Sequence, residues 1–270
     1  MKIAEVYCKN ALSKSKIAGM DYALNPYIGC EHGCVYCYAD FMRKYTKHKE
    51  EWGEFVDAKI NIVDRLRQQI KRTKPGTIMI GTVTDAYQPL EEKYQLTRRC
   101  LEILADFDFP IHIQTKSDLV LRDIDILKRT KNKEVGFTIT CVDPTIEKTF
   151  EPKASKLEKR FEALKKLKEN EIPVFVFFGP ILPFFSDSKE SIESLLERLK
   201  NIGIEEILLD RMNYLGAKWK KMGMFIERNF PYALSYYKQV AKDGELYSER
   251  LRDVLVHSLS GFSANYEILF

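Results

Sequence analysis

No stretch of this 270-residue chain approaches the ~18 consecutive apolar residues that a membrane-crossing helix needs. Its opening, MKIAEVYCKN, lacks the apolar run of a secretory signal. There is no internal repeat, no low-complexity tract and no linker. Excess charge of one sign is missing too: 43 Lys and Arg face 39 Asp and Glu, for a net charge of +4. That balance permits an anionic substrate without demanding nucleic acid. On these absences neither a membrane span nor secretion is expected, and the expected compartment is the cytoplasm. Six cysteines, three of them clustered, suit a reducing environment. With 45% hydrophobic and 30% charged residues, the composition is that of a soluble globular protein, long enough for one large domain with its own core.

The clustered cysteines lie in NPYIGCEHGCVYCYAD (Asn25 to Asp40), where Cys30, Cys34 and Cys37 are spaced C-x3-C-x2-C. Three nearby thiolates can hold three irons of a cubane [4Fe–4S] cluster, whereas complete protein ligation takes four cysteines. One iron is then left for another ligand, and an open coordination position marks a reactive site, as it does for zinc. A zinc site would need a fourth ligand. His32 is the local choice, but it lies inside the loop, and finger-type spacing puts the second ligand pair far downstream.

Strands and helices alternate. Strand-like runs, rich in β-branched and aromatic residues and mostly apolar on both faces, are Thr77–Asp85, Ile111–Ser117, Glu134–Val142, Pro173–Pro183 and Glu205–Asn213. A short strand is expected near Asn25–Gly29. Helical periodicity marks Phe55–Arg72, Lys93–Asp106, Leu119–Arg129, Ser155–Asn170 and Lys189–Asn201, then Pro231–Val240 and Gly244–His257 in the tail, ahead of a short apolar end. Six βα units predict an α/β fold, either a doubly wound sheet or a barrel. The expected organisation is an N-terminal segment (1–22), the βα body (23–215) and a helical C-terminal extension (216–270) packed on it as one globular unit.

In βα barrels, sites form at the C-terminal ends of the strands. The polar residues there are Thr82, Thr84 and Asp85; Thr115, Lys116 and Ser117; Thr138 and Thr140, followed by Cys141 and Asp143; and Asp210, Arg211 and Asn213. Singly, each is as well explained by strand propensity or helix capping. Their recurrence at several strand ends points to a shared polar mouth.

The cysteine spacing, with Tyr36 just before the last cysteine, resembles that of the radical S-adenosylmethionine (radical SAM) enzymes. The six βα units resemble their partial (β/α)6 barrel. The resemblance implies a [4Fe–4S] cluster on Cys30, Cys34 and Cys37, with S-adenosylmethionine on the open iron. An electron from an external reductant such as flavodoxin or ferredoxin would cleave it to a 5′-deoxyadenosyl radical that abstracts hydrogen. The backbone around Tyr36 would lie against the adenine. NPYIGCEHGCVYCYAD, GTVTDAYQPLE (Gly81–Glu91), QTKSDLVLRDIDIL (Gln114–Leu127) and FTITCVDPTIEKTFEPKASKLEKRFEAL (Phe137–Leu164) are more closely similar to the spore photoproduct lyase-like family, also labelled DNA repair photolyases, in order and spacing from about Leu12 to Leu182. By that resemblance Lys116, Thr138 and Thr84 fall where the lyases contact S-adenosylmethionine, with Thr82, Asp85, Ser117 and Thr140 on the same cofactor side. Tyr38 matches the tyrosine after the third cysteine, and Phe150, Glu151, Pro152 and Arg160 match an FEP…R motif. Tyr38, Tyr87, Cys141 and Arg211 are expected on the catalytic or substrate side.

One departure counts. Where the lyases carry a cysteine that returns hydrogen to the product radical, this sequence has Thr82, whose O–H bond is too strong for a ready donor. Cys141 could stand in as a relay, but alternation from Thr138 and Thr140 turns it outward, as a packed small residue would be. Aromatic and basic residues mix in Phe41–Lys49 and Tyr214–Met222, as in stacking platforms for nucleic acid, and as in any Lys-rich surface. Three readings stand open: a radical enzyme acting on nucleic acid or a nucleotide, a radical enzyme acting on a peptide or small molecule, and a non-catalytic nucleic-acid-binding module with a structural metal site. The missing auxiliary cysteine motif in the C-terminal part speaks against the common peptide-maturing type.

Overall fold

The structure, a computed structural model, describes residues 1–213, 215 and 218–270. Tyr214, Gly216 and Ala217 of the second basic segment therefore lie outside the described residues. The chain forms two units, Met1–Phe137 with Glu151–Val174, and Thr138–Phe150 with Phe175–Phe270.

The first unit contains β1 (Lys2–Val6), β2 (Leu12–Lys14), β3 (Tyr22–Leu24), β4 (Tyr27–Ile28), β5 (Phe55–Lys59), β6 (Ile78–Ile80), β7 (Ile111–Thr115) and the greater part of β8 (Lys133–Ile139). A sheet runs in the order β2-β3-β6-β7-β8, parallel except for the β2–β3 pair. Its register aligns Leu24, Ile80, Ile113 and Val135 in one row. All four are completely buried, which is why these strands read as continuous apolar runs. The same register makes the segments after β3, β6 and β7 leave the sheet along one edge, and the chemistry-bearing residues collect there. A smaller sheet, β1-β5-β4, carries the chain into and out of the cysteine loop.

Several local expectations change. Phe55–Arg72 is a strand followed by a helix, Ile62–Ile70. Phe55, Val56, Asp57 and Ala58 are all buried between β1 and β4, and the helical stripe begins only at Ile62. The strand expected near Asn25–Gly29 is the two-residue β4, and β3 just before it belongs to the other sheet. The Lys93–Asp106 helix breaks at Gln95, whose φ of 51° is left-handed, into Glu91–Tyr94 and Leu96–Leu104. Leu119–Arg129 opens as a 3-10 helix, Asp118–Asp123, before the α-helix Ile124–Arg129. Cys8, near the start of the chain, is pinned by Asn61: its N–H donates to Asn61 Oδ1 at 2.8 Å, and Asn61 Nδ2 donates to its carbonyl at 3.0 Å.

The second unit contains most of β9 (Val174–Ile181), then β10 (Glu206–Arg211) and β11 (Asn265–Ile268), parallel in the order β9-β10-β11. β11 is the short apolar end expected from the sequence, now paired in register with β10. Helix Lys189–Ile202 begins at Ser188, whose hydroxyl accepts from Ser191 N at 3.2 Å, and ends at Gly203 with φ 77°. Helices Pro144–Phe150, Trp219–Asn229, Leu234–Lys242 and Gly244–Leu259 complete it, with Phe150 packed on Phe225 and Phe230 at ring-centroid distances of 5.0 and 5.7 Å. No helix of the described residues is long and apolar enough to cross a membrane.

Candidate functional site

The cysteine loop leaves β4 through Gly29, where φ is 85° and a Cβ would sit 2.4 Å from the Phe55 carbonyl oxygen, so only glycine fits. Two tight turns follow. Gly33 N donates to Cys30 O at 3.3 Å, and Cys37 N donates to Cys34 O at 3.1 Å. Gly33 also touches Gly53, and a Cβ on Gly53 would approach Gly33 Cα to 2.7 Å. The loop is thus pressed backbone to backbone against the segment before β5.

Cys30 and Cys34 are buried and Cys37 half-buried, and none of the three forms a disulfide. Burial pushes the Cys30 thiol well up, reinforced by Asp85, Cys34 and Cys37. Burial likewise pushes Cys34 up to about 12, against the pull of Lys116. Three thiols that oppose each other's ionisation in a water-poor loop need a cation among them to become thiolates, and metal coordination deprotonates thiols outright. The donor set therefore fits a metal cluster. Among the described residues, no three His, Cys, Asp or Glu side chains converge as the ligands of one metal ion would. A cubane puts each thiolate on its own iron, so it asks for no such convergence.

The segments after β6 and β7 close around this loop. Asp85 accepts from Thr115 Oγ1 at 2.7 Å, Lys116 N at 2.8 Å and Tyr87 N at 2.9 Å, and its Oδ2 lies 3.3 Å from His32 Nδ1. Burial pushes the Asp85 carboxyl up, but the adjacent His32 and the donors from Thr115 and Lys116 outweigh it and hold it below the usual carboxylate range. Thr84 Oγ1 donates to Gly29 O at 2.6 Å and accepts from Gln88 Nε2 at 3.0 Å, while Gln88 Oε1 accepts from Glu31 N at 2.8 Å. Thr82 Oγ1 accepts from Asn25 Nδ2 at 2.9 Å, and the Thr82 carbonyl accepts from the Tyr38 hydroxyl. The hydroxyls of Thr82 and Thr84, expected on the cofactor side, thus tie the β6 end to the chain around the cysteines. Ser117 caps the Asp118–Asp123 helix by accepting from Leu119 N at 3.3 Å.

Lys116 projects over the Tyr36 ring, with Nζ 5.7 Å from its centroid. Burial lowers its pKa, but Cys34, Glu151, Asp85 and Cys37 together raise it above the ordinary lysine value, so the side chain is a cation. The Tyr36 hydroxyl donates to Glu151, and Glu151 pairs with Arg160 at 2.5 Å.

The structure therefore gathers Cys30, Cys34, Tyr36, Cys37, Tyr38, Thr82, Thr84, Asp85, Lys116 and Ser117 around one sheet edge of the first unit. Tyr87 belongs to another cluster. It is completely buried, and burial with the charges of Asp123 and Glu91 pushes its phenol far up. Thr138, Thr140, Cys141 and Arg211 lie in the second unit. Both threonines are buried. Cys141 is buried as well, its Sγ donating to Asp143 O at 3.5 Å. The Arg211 guanidinium lies 6.0 Å from the Phe270 ring centroid. Sequence reasoning assigned no function to Asn25, Gln88, Glu151 or Arg160. The available signals were the polar residues inside the GTVTDAYQPLE block and the FEP…R spacing.

Comparisons with known proteins point one way. The model of the Radical SAM superfamily matches residues 24–199. An uncharacterized protein of Methanocaldococcus jannaschii is 40% identical over 69% of this chain and 70% of its own length. Spore photoproduct lyase, solved with bound AdoMet and dinucleoside spore photoproduct, superposes with a TM-score of 0.72 at 14% identity, covering 99% of this chain and 82% of the lyase. Streptococcus suis SuiB bound to the precursor peptide SuiA gives a TM-score of 0.59 at 14% identity over 91% of this chain and 47% of SuiB. The α/β partial-barrel class expected from the sequence is the fold shared with these structures.

Proposed function

This chain belongs to the radical SAM superfamily and is a radical SAM enzyme, and we propose that Cys30, Cys34 and Cys37 hold its [4Fe–4S] cluster and that its substrate is a nucleobase in nucleic acid or a nucleotide. When bound, the cluster supplies the electron that cleaves S-adenosylmethionine and so yields a 5′-deoxyadenosyl radical for hydrogen abstraction.

The observation that carries this reading is the three-thiol loop with the Lys116 ammonium set over its Tyr36 ring. Lys116 offers a fixed positive charge and three N–H donors to a carboxylate such as that of S-adenosylmethionine. Asp85 spends its acceptors on Thr115, Lys116 and Tyr87, so its work is to hold the end of β7 and His32 in place. Thr84 and Gln88 hold the cysteine loop at Gly29 and Glu31, and Asn25 ties its entry to Thr82. Burial of Cys30 and Cys34 keeps water from the thiols, as a radical requires.

Two features support the substrate class. Directly after Cys37, the 3-10 helix Tyr38–Tyr45 presents Tyr38 (50% exposed), Phe41 (41%) and Tyr45 (78%) interleaved with Arg43 and Lys44. Exposed rings among cations suit stacked bases over an anionic backbone. The lyase that shares the fold was solved with a dinucleoside photoproduct. A peptide substrate is the second reading, favoured by the SuiB complex. We further propose an external reductant of the flavodoxin or ferredoxin kind and a cytoplasmic setting, in keeping with six cysteines that form no disulfide.

The test is anaerobic reconstitution with iron and sulfide, reduction by dithionite, addition of S-adenosylmethionine and chromatography for 5′-deoxyadenosine. Deoxyadenosine from the wild type but not from Cys34→Ala supports the reading. A protein that takes up zinc and no iron under these conditions sinks it.

A further inference from the structure

We propose that Glu151 is a positioning residue that braces the cysteine loop through Tyr36, with Arg160 fixing its carboxylate. The proposal rests on the reading that Cys30, Cys34 and Cys37 carry the cluster. Glu151 and Arg160 are 1% and 0% exposed. One Glu151 oxygen accepts from the Tyr36 hydroxyl, and the other lies 2.5 Å from Arg160 Nη2. Arg160 Nε in turn donates to Ser155 O at 2.7 Å, which fixes the plane of the guanidinium.

The neighbours of Glu151 grip the same two elements through the backbone. Lys153 N donates to His32 O at 3.4 Å, inside the cysteine loop. Lys153 Nζ donates to Gly53 O at 3.2 Å, on the glycine that presses against Gly33. Ser155 N donates to Lys116 O at 3.1 Å. Residues 151–155 therefore hold both the loop that bears the thiols and the strand end that bears the lysine. Tyr36 stands between Cys34 and Cys37, so fixing its ring fixes the backbone from which both thiols hang.

Stability alone does not account for the pair. A buried carboxylate and guanidinium lose so much hydration that a well-packed apolar pair is commonly as stable. A bidentate-capable cation and a two-oxygen acceptor do specify direction, which an apolar pair does not.

The experiment uses the full chain in two states. In the reduced, cluster-free protein, iodoacetamide labelling of each cysteine is followed by peptide mass spectrometry for wild type, Tyr36→Phe and Glu151→Gln. Cys100, completely buried in helix Leu96–Leu104, gauges fold-wide opening. Both variants are expected to label Cys34 and Cys37 about tenfold faster, the equivalent of one charge-assisted hydrogen bond, with Cys100 unchanged. In the iron-loaded, reduced protein the same variants should alter the electron paramagnetic resonance line shape at wild-type iron content. Unchanged Cys34 and Cys37 rates, equal acceleration of Cys100, or an unaltered line shape each overturns the proposal. A wild type that binds no iron sinks the cluster reading instead, and the labelling rates then decide the brace alone.

Discussion

Lys116 Nζ stands 5.7 Å from the centroid of the Tyr36 ring, so a cation from the end of β7 rests on an aromatic side chain from between two of the clustered cysteines. The contact joins two segments about eighty residues apart in sequence. Its strength is modest where water reaches it and grows as water is excluded. Here the ring hydroxyl is tied to Glu151, whose charge also faces the ammonium.

Replacing Lys116 by Met keeps the length of the stem and removes the charge. S-adenosylmethionine binding to the reconstituted enzyme, measured by equilibrium dialysis, should weaken about tenfold or more, the value of a hydrogen bond to a charged group. Affinity equal to wild type would take Lys116 away from the cofactor.

The glycine contact beneath the loop makes a second point. Gly53 has φ 94° and lies against Gly33, so Gly53→Ala meets both backbone strain and a collision at 2.7 Å. A loss of about 1–3 kcal/mol is expected from the strain. Iron bound per chain after reconstitution should fall more sharply than the far-ultraviolet circular dichroism signal, because the segment displaced is the one that carries the thiols.

What could be read ahead of the structure divides by range. Strands β6 to β10 each hold an apolar run, and each reveals itself locally, as do the Cys30, Cys34 and Cys37 spacing and the cation at Lys116. β5 does not. Phe55–Lys59 runs without a break into a helical stripe, and only pairing with β1 and β4 decides its conformation. The bond from Tyr36 to Glu151 spans 115 residues, and the His32–Asp85 contact joins a loop to a strand end 53 positions on. No periodicity encodes such pairs. Ser117 shows the converse, since its position suggested the site and its hydroxyl caps a helix.

Behind the site, Glu91 is completely buried and accepts from the Tyr27 hydroxyl, Thr97 N at 3.0 Å, Arg98 N at 3.1 Å and Arg122 Nη2 at 2.7 Å. Glu91→Ala would strand these donors beside a guanidinium. Removing one partner of a buried pair costs about 3–5 kcal/mol, which in a chain of this size corresponds to a melting temperature lower by roughly 10 °C. A loss under about 1 kcal/mol would place this network on the protein's solvated surface.

Asp187 gives a pH-dependent prediction of the less common sign. Burial pushes its carboxyl up by more than the Tyr236 hydroxyl and the backbone at Phe184 pull it down. A folded value above the unfolded one means stability that is complete below the unfolded carboxylate range and is lost as pH rises through the folded value. Asp187→Asn keeps an acceptor for the Tyr236 hydroxyl, 2.9 Å away, and removes the ionisation. The variant should melt above wild type at pH 8, and the gap should close below about pH 4. A constant gap across that window would mean that Asp187 titrates as an exposed carboxyl.

Phe41 and Tyr45 decide between the two substrate classes. Their rings meet edge to face at 6.4 Å, and both are exposed beside Arg43 and Lys44. Neither ring is needed to bury the loop, so Phe41→Ala and Tyr45→Ala should leave iron content and melting temperature near wild type. If bases stack there, each change weakens binding of a short single-stranded oligonucleotide about tenfold, in fluorescence anisotropy at fixed salt, in line with the ~1–3 kcal/mol per stacked base. Phosphate attraction alone behaves differently: both variants would bind as wild type does, and only raising the salt would release the strand. If no oligonucleotide binds at any salt, the peptide reading takes precedence, and the aromatic helix after Cys37 becomes the surface on which to test an extended chain.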